Sequence, residues 1–289
     1  MTSGRGRSFS GGGDGAGARE TTHRGGNQVK PQVICLPGSV APAANRYAAL
    51  KAAVGDRADL HLKDLELYRD DEPPADYSID MELEAVDATA QSLGLERFHL
   101  IGYSGGGMMS IAYAGTRPER LLSLGLFEPA RIPGELTRPE RDFFQSLNDK
   151  VAGKTGSDFM SAFISNQVKP GARIPPPQPP TPEMRKRPAG IAALLRVFEQ
   201  YSFDRDLLRK CAFPVYYAYG SLSHDEQALK AGVLAQRFPD IHIQRFEGIH
   251  HFVPPEEIYT ASHVEALVAM WRATDGAAVR PLTQQPQAR

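Results

Sequence analysis

Between residues 29 and 271, short runs of apolar residues alternate with longer amphipathic stretches, and this alternation limits the fold more than any other feature of the chain. A short run that is apolar at every position must be buried on both faces, as in a parallel sheet covered by helices. The runs at 33–36, 98–101, 121–127, 215–219 and 241–246 read as such strands, with a weaker one at 59–62. Helical patterns fill the intervals at 42–54, 79–93, 106–115, 225–238 and 256–271. In the second of these, Ile79, Leu83, Val86, Ala90 and Leu93 recur at helical spacing. Ser78 stands where it can cap that helix, and Gly94 where it can end it in the left-handed conformation. Strand, right-handed crossover helix and parallel strand, repeated, predict an α/β fold with one mostly parallel open sheet of about six strands flanked by helices. An edge strand is expected near the start of the folded part, and no internal repeat is visible.

The alternation stops between residues 130 and 209, where something other than sheet is inserted. Patterns at 138–150, 157–167 and 190–201 are helical, and eight prolines in residues 170–188 argue against helix or interior strand there. A helical lid with a proline-rich crossing is expected, because long insertions in compact domains tend to cover sites. The implied organisation is a tail at 1–28, a core at 29–129 and 210–274, the lid at 130–209 and a loose end at 275–289. Residues 1–26 hold nine glycines and four arginines with almost no large apolar side chains, a composition expected to be disordered. An RNA-contacting role is the functional alternative for this tail, although its charge is thinly spread.

Composition narrows the partners. With 33 Lys+Arg against 34 Asp+Glu and a formal net charge of -1, the chain lacks the basic footprint of nucleic-acid or anionic-membrane binding. No apolar run approaches the ~20 residues that cross a bilayer, and no secretory apolar region opens the sequence, so a cytoplasmic location is expected. Cys35 and Cys211 lie in apolar segments without disulfide or zinc spacing and read as reduced core residues.

Chemistry concentrates at Gly102-Tyr103-Ser104-Gly105-Gly106, which follows an apolar strand and opens a helix. A serine at so sharp a strand-to-helix turn projects its hydroxyl, and the residues two before and two after must be small. The same turn sets Ser104 at a helix N-terminus, where the N–H of Gly105 can face a developing oxyanion. On these residues the sequence resembles the α/β-hydrolase family, and the resemblance extends from about residue 29 to residue 271.

The resemblance implies roles for further residues. The segment that usually reads His-Gly is here Leu36-Pro37-Gly38-Ser39-Val40, so the second oxyanion donor would be the N–H of Ser39. The general base falls within Gly248-Ile249-His250-His251-Phe252, where the His-Phe pair selects His251 and His250 is the alternative. The acid has two candidates. In Gly220-Ser221-Leu222-Ser223-His224-Asp225, Ser223 stands where Asp is usual and Asp225 comes two residues later. Glu128, at the end of the strand after the elbow helix, resembles the acid of members such as haloalkane dehalogenases. A carboxylate ending an apolar strand needs a partner, and an imidazolium would supply it.

A serine nucleophile directs the family's chemistry to acyl transfer. The expected activity is hydrolysis of a small, largely apolar carboxylic ester or thioester by Ser104, His251 and Glu128 or Asp225, with no metal or cofactor. Phe143, Phe144, Phe159, Phe163, Leu194 and Phe198 would give the lid an apolar pocket. The expected partner is a small-molecule substrate, not nucleic acid or membrane. Carbon–carbon bond or lactone hydrolysis with the same residues is an alternative, and so is a non-catalytic binding scaffold, suggested by Pro37 and Ser223. The resemblance implies that the folded part begins at what is usually the third strand of the fold.

Overall fold

A computed structural model describes residues 30–174 and 181–278. The predicted tail at 1–28, residues 175–180 of the proline-rich stretch and residues 279–289 of the predicted loose end lie outside the described residues. Six strands, β1 (Gln32–Leu36), β2 (Asp59–Leu62), β3 (Phe98–Tyr103), β4 (Leu121–Phe127), β5 (Val215–Gly220) and β6 (Ile241–Phe246), form one sheet in the order β2-β1-β3-β4-β5-β6. All neighbouring pairs are parallel, and β2 and β6 form the edges.

Side chains alternate across the sheet, as the two-residue period of a strand requires. Ile34, Leu36, Phe98, Leu100, Leu124 and Leu126 join one buried layer with helices α2 (Ile79–Ser92) and α3 (Gly105–Thr116). Val33, Cys35, Ile101, Tyr103 and Phe127 face the other layer, with α1 (Ala43–Val54) and the C-terminal helix. Both cysteines are buried free thiols. In α2 the Ser78 hydroxyl accepts from the Met81 N–H at 3.2 Å, and Gly94 leaves the helix with φ of 68°.

Between β4 and β5 the chain makes helices α4 (Arg138–Val151), α5 (Gly156–Ser165), α6 (Pro182–Arg185) and α7 (Arg187–Gln200). Phe143, Phe144, Leu147, Phe159, Phe163 and Ile191 form a separate apolar cluster within this insert. A buried ion pair ties the insert down: Arg205 donates from both terminal nitrogens to Glu140 at 2.9 and 3.0 Å, and to the carbonyl of Ile132 at 3.0 Å. Helix does form inside the stretch whose prolines argued against it. Pro182 and Pro188 occupy first-turn positions of α6 and α7, where proline's missing N–H costs nothing, and Thr181 caps α6.

After β5 come α8 (Glu226–Ala235) and, after β6, α9 (Pro255–Ile258) and α10 (Ala261–Ala278). The single helix expected at 256–271 is broken at Tyr259, whose ring packs between Tyr47 and His263. Instead of loosening at residue 275, α10 continues to Ala278, with Asp275 Oδ1 3.3 Å from Nε2 of the buried His99. No helix among the described residues is long and apolar enough to cross a membrane.

The strand order locates the site. From β1 the chain goes outward to β2 and then returns to the other side of β1 as β3, so the loops leaving β1 and β3 diverge. In an open α/β sheet ligands bind at the carboxyl ends of the strands beside such a reversal. Ser39 follows β1 and Ser104 follows β3.

Candidate active site

Ser104 occupies the elbow between β3 and α3 with φ of 52° and ψ of -117°, a left-handed conformation that side chains other than glycine rarely adopt. Three backbone bonds hold it: its N–H donates to Phe127 O at 3.2 Å, and its carbonyl accepts from Met108 and Ala130 at 3.1 and 2.8 Å. The elbow is as crowded as the sequence requires. A Cβ at Gly106 would lie 2.4 Å from Pro37 O and 2.6 Å from Leu36 O, and one at Gly102 would lie 2.5 Å from Gly106 O. The Gly106 N–H donates to Pro37 O at 3.0 Å, which joins α3 to the loop after β1. Gly106→Ala is therefore expected to destabilise the fold by about 1–3 kcal/mol, measured by chemical denaturation, because backbone and not a flexible side chain must yield.

His251 and Glu128 complete a chain of contacts from this serine. His251 Nε2 lies 3.0 Å from Ser104 Oγ, and its Nδ1 lies 2.7 Å from Glu128 Oε2. Glu128 is fully buried and, at φ of 45°, is the other non-glycine residue with positive φ among those described. Its N–H donates to Ala218 O at 3.1 Å, which holds the end of β4 against β5. Its second oxygen, Oε1, accepts from the Gly220 N–H at 2.7 Å and the Ser223 hydroxyl at 2.6 Å.

Electrostatics follow from these contacts. Burial alone would raise the Glu128 pKa, but the His251 hydrogen bond and charge, with Ser223 and Gly220, hold it below the ordinary carboxylate value. Burial pushes the His251 pKa below the usual imidazole value of 6.5; Glu128 opposes the shift, and Arg46 and Lys230 add to it. At rest the pair is a carboxylate and a neutral imidazole whose Nε2 is free to accept the serine proton.

The structure separates the alternatives left open in the sequence. Asp225 stands exposed at the start of α8 with its carboxylate 2.9 Å from Lys169 Nζ, away from His251. The helical position that Asp225 also fits is the one it takes. Ser223, in the place where the usual acid is missing, supplies a hydrogen bond to Glu128 instead. His250 faces elsewhere: its Nε2 is 2.9 Å from Arg173 O and its Nδ1 accepts from the Phe252 N–H at 3.1 Å. A Cβ built on Gly105 would lie 3.7 Å from Ser39 N, so the two amides expected as oxyanion donors adjoin one another. Among the described residues the Ser39 N–H has no hydrogen-bond acceptor.

Two neighbours of His251 have no signal in the sequence. The Tyr103 ring stacks on the imidazole with centroids 4.8 Å apart, and its hydroxyl donates to His251 O. Arg46, from α1, sits 3.4 Å from the centre of the Tyr103 ring and donates to the same carbonyl at 3.3 Å. Tyr68 donates to Ser39 O at 2.7 Å and lies under the Arg187 guanidinium, 3.8 Å from ring centre, which links the oxyanion loop to α7.

Ser39 and Ser104 open onto a cavity walled mainly by the insert, through Phe143, Phe144, Leu147, Phe163, Ile191, Leu194 and Phe198. Of the expected wall residues, Phe159 is absent; it stacks on Phe163 inside the insert's own cluster, with centroids 6.1 Å apart. The cavity measures about 20 Å³, room for a single water. No cluster of three or more metal-ligating side chains occurs among the described residues.

A doubly covered parallel sheet with an elbow serine defines the α/β-hydrolase class, and comparison with known proteins agrees. Residues 32–172 match the family described as alpha/beta hydrolase fold. No curated protein sequence matches the chain. Among solved structures, a membrane phospholipase A described as a bacterial virulence factor is similar at 22% identity and TM-score 0.63, over 86% of this chain and 81% of that one. A proline iminopeptidase from Mycobacterium smegmatis is similar at 18% identity and TM-score 0.60, over 86% and 91%. A thermophilic esterase from Thermogutta terrifontis is similar at 17% identity and TM-score 0.63, over 85% and 90%. At these identities the likeness is one of fold. The chain has the α/β-hydrolase fold, and residues 32–172 match the family of that name.

Proposed function

We propose that the protein is a serine hydrolase that cleaves a small, largely apolar carboxylic ester or thioester through an acyl-enzyme on Ser104. The observation that carries this reading is the buried chain Ser104 Oγ, His251, Glu128, with links of 3.0 and 2.7 Å. Nucleophile, base and orienting acid within hydrogen-bond reach are the arrangement that activates a hydroxyl.

In this scheme Ser104 Oγ attacks the carbonyl carbon while His251 Nε2 takes its proton. The resulting oxyanion accepts from the N–H groups of Ser39 and Gly105, a role supported by their adjoining positions beside Ser104. The tetrahedral intermediate collapses as the imidazolium gives its proton to the leaving alcohol or thiol. Water then attacks the acyl-enzyme with His251 again as base. Glu128 fixes the ring and stabilises its cation, and its other two donors keep it ionised so that it does not take the proton itself. The mainly aromatic and aliphatic wall suits an uncharged acyl chain. In this scheme the insert acts as a lid that moves to admit substrate, a reading supported by its apolar side chains over Ser104 and the small cavity of about 20 Å³ beneath them.

Labelling with a fluorophosphonate, read by mass spectrometry, tests the scheme. A single adduct on Ser104 is expected. Its rate should fall as pH decreases, with a midpoint below 6.5, because protonated His251 cannot accept the serine proton and burial lowers its pKa. A folded protein that forms no adduct on Ser104 at any pH contradicts the reading.

A further inference from the structure

One side chain on the cavity wall is out of keeping with the rest. Glu226, in the first turn of α8, lines the same cavity as Ser104 and is only 2% exposed. Its Oε1 forms an ion pair with Lys230 Nζ at 2.8 Å, and no other group among the described residues hydrogen-bonds this atom. The ammonium also donates to Pro129 O and, at 3.3 Å, to Ala130 O. Lys230 is itself 1% exposed.

The two partners differ in what they lack. The ammonium has three protons, and they are directed at two carbonyls on the segment after Glu128 and toward Glu226. The carboxylate has about four acceptor positions, and the one Lys230 proton directed at it fills a single one of them. A buried carboxylate short of donors is costly unless something supplies them. Apart from Ser39 and Ser104, Gln167 is the other polar residue on this wall, and its carbonyl accepts from the His224 N–H at 3.0 Å.

We infer that Glu226 is a specificity-determining residue that accepts a hydrogen bond from a hydroxyl on the substrate, so that the preferred esters carry a hydroxyl group on an otherwise apolar chain. A neutral donor fits better than an amine because Lys230 already supplies the positive charge at this spot. Burial pushes the Glu226 pKa up to about 7 against the pull of Lys230, which accords with a group short of donors. This inference rests on the hydrolase reading above and names the substrate class of the same site.

The test compares matched esters: p-nitrophenyl butyrate with 3-hydroxybutyrate, p-nitrophenyl hexanoate with 6-hydroxyhexanoate, and ethyl with 2-hydroxyethyl butyrate. In the wild type, at least one pair should favour the hydroxylated member by about tenfold or more in kcat/KM, the size expected of a hydrogen bond to a charged acceptor. That preference should shrink in Glu226→Gln. It should vanish or reverse in the double variant Glu226→Leu with Lys230→Met, which leaves no unpaired buried charge if the single Leu variant fails to fold. The readout is the ratio within each variant, so a general loss of rate does not mimic the effect. Equal rates within every wild-type pair, a preference that survives both changes, or a stronger preference for p-nitrophenyl 3-aminobutyrate overturns the inference alone. Hydrolysis of none of the esters overturns it together with the hydrolase reading.

Discussion

Replacing Ser104 with alanine is expected to lower kcat for ester hydrolysis by about a million-fold, with little change in KM for any residual activity. The size follows from the reaction scheme: without the hydroxyl no acyl-enzyme forms, and His251 has no serine proton to remove. What remains is catalysis by the Ser39 and Gly105 amides and by binding, which retains roughly 10³–10⁴ over the uncatalysed reaction. The substitution removes one oxygen from a residue 4% exposed and leaves the backbone bonds of the elbow intact, so the variant should fold. Steady-state kinetics with an activated ester, alongside thermal unfolding, checks both statements. Activity in the variant within tenfold of wild type would remove the serine from the mechanism.

Glu128→Gln is the second large effect, expected at about 10⁴-fold in kcat. The amide preserves shape, but it takes away the charge that stabilises the imidazolium. It can also turn an N–H toward His251 Nδ1, which favours the tautomer with its proton on the wrong nitrogen. The Ser223 hydroxyl and Gly220 N–H would then face an amide in place of a carboxylate, so some loss of stability is expected as well. Asp225→Asn, by contrast, should leave kcat within about twofold, since that carboxylate meets only Lys169 at the surface. Measuring both variants on one ester decides between the two acids, and a large effect at Asp225 with little at Glu128 would move the role.

Much of this molecule is legible without coordinates. The all-apolar runs demand burial on both faces, which selects a parallel sheet covered by helices. Gly102 and Gly106 around Ser104 mark an elbow because no other side chain fits there. His251 and Glu128 stand out through their places after particular strands. Helix ends were harder to read, as at Pro182 and Pro188, because proline is as suitable in a first turn as it is disruptive in an interior.

Other features required the folded chain. Gly220 and Ser223 donate to Glu128 across 92 and 95 residues of sequence, and Arg46 reaches His251 O across 205. No local pattern encodes such contacts. The sequence favours Glu128 and leaves Asp225 as the alternative acid; in the folded chain β4 brings Glu128 to the imidazole while α8 holds Asp225 in solvent. The missing aspartate at Ser223 has a similar explanation, since the hydroxyl there serves a carboxylate arriving from the neighbouring strand. Periodicity and turn chemistry act over a few residues and so are written in the sequence, whereas the pairing of charged groups depends on distances that exist only once the sheet has assembled.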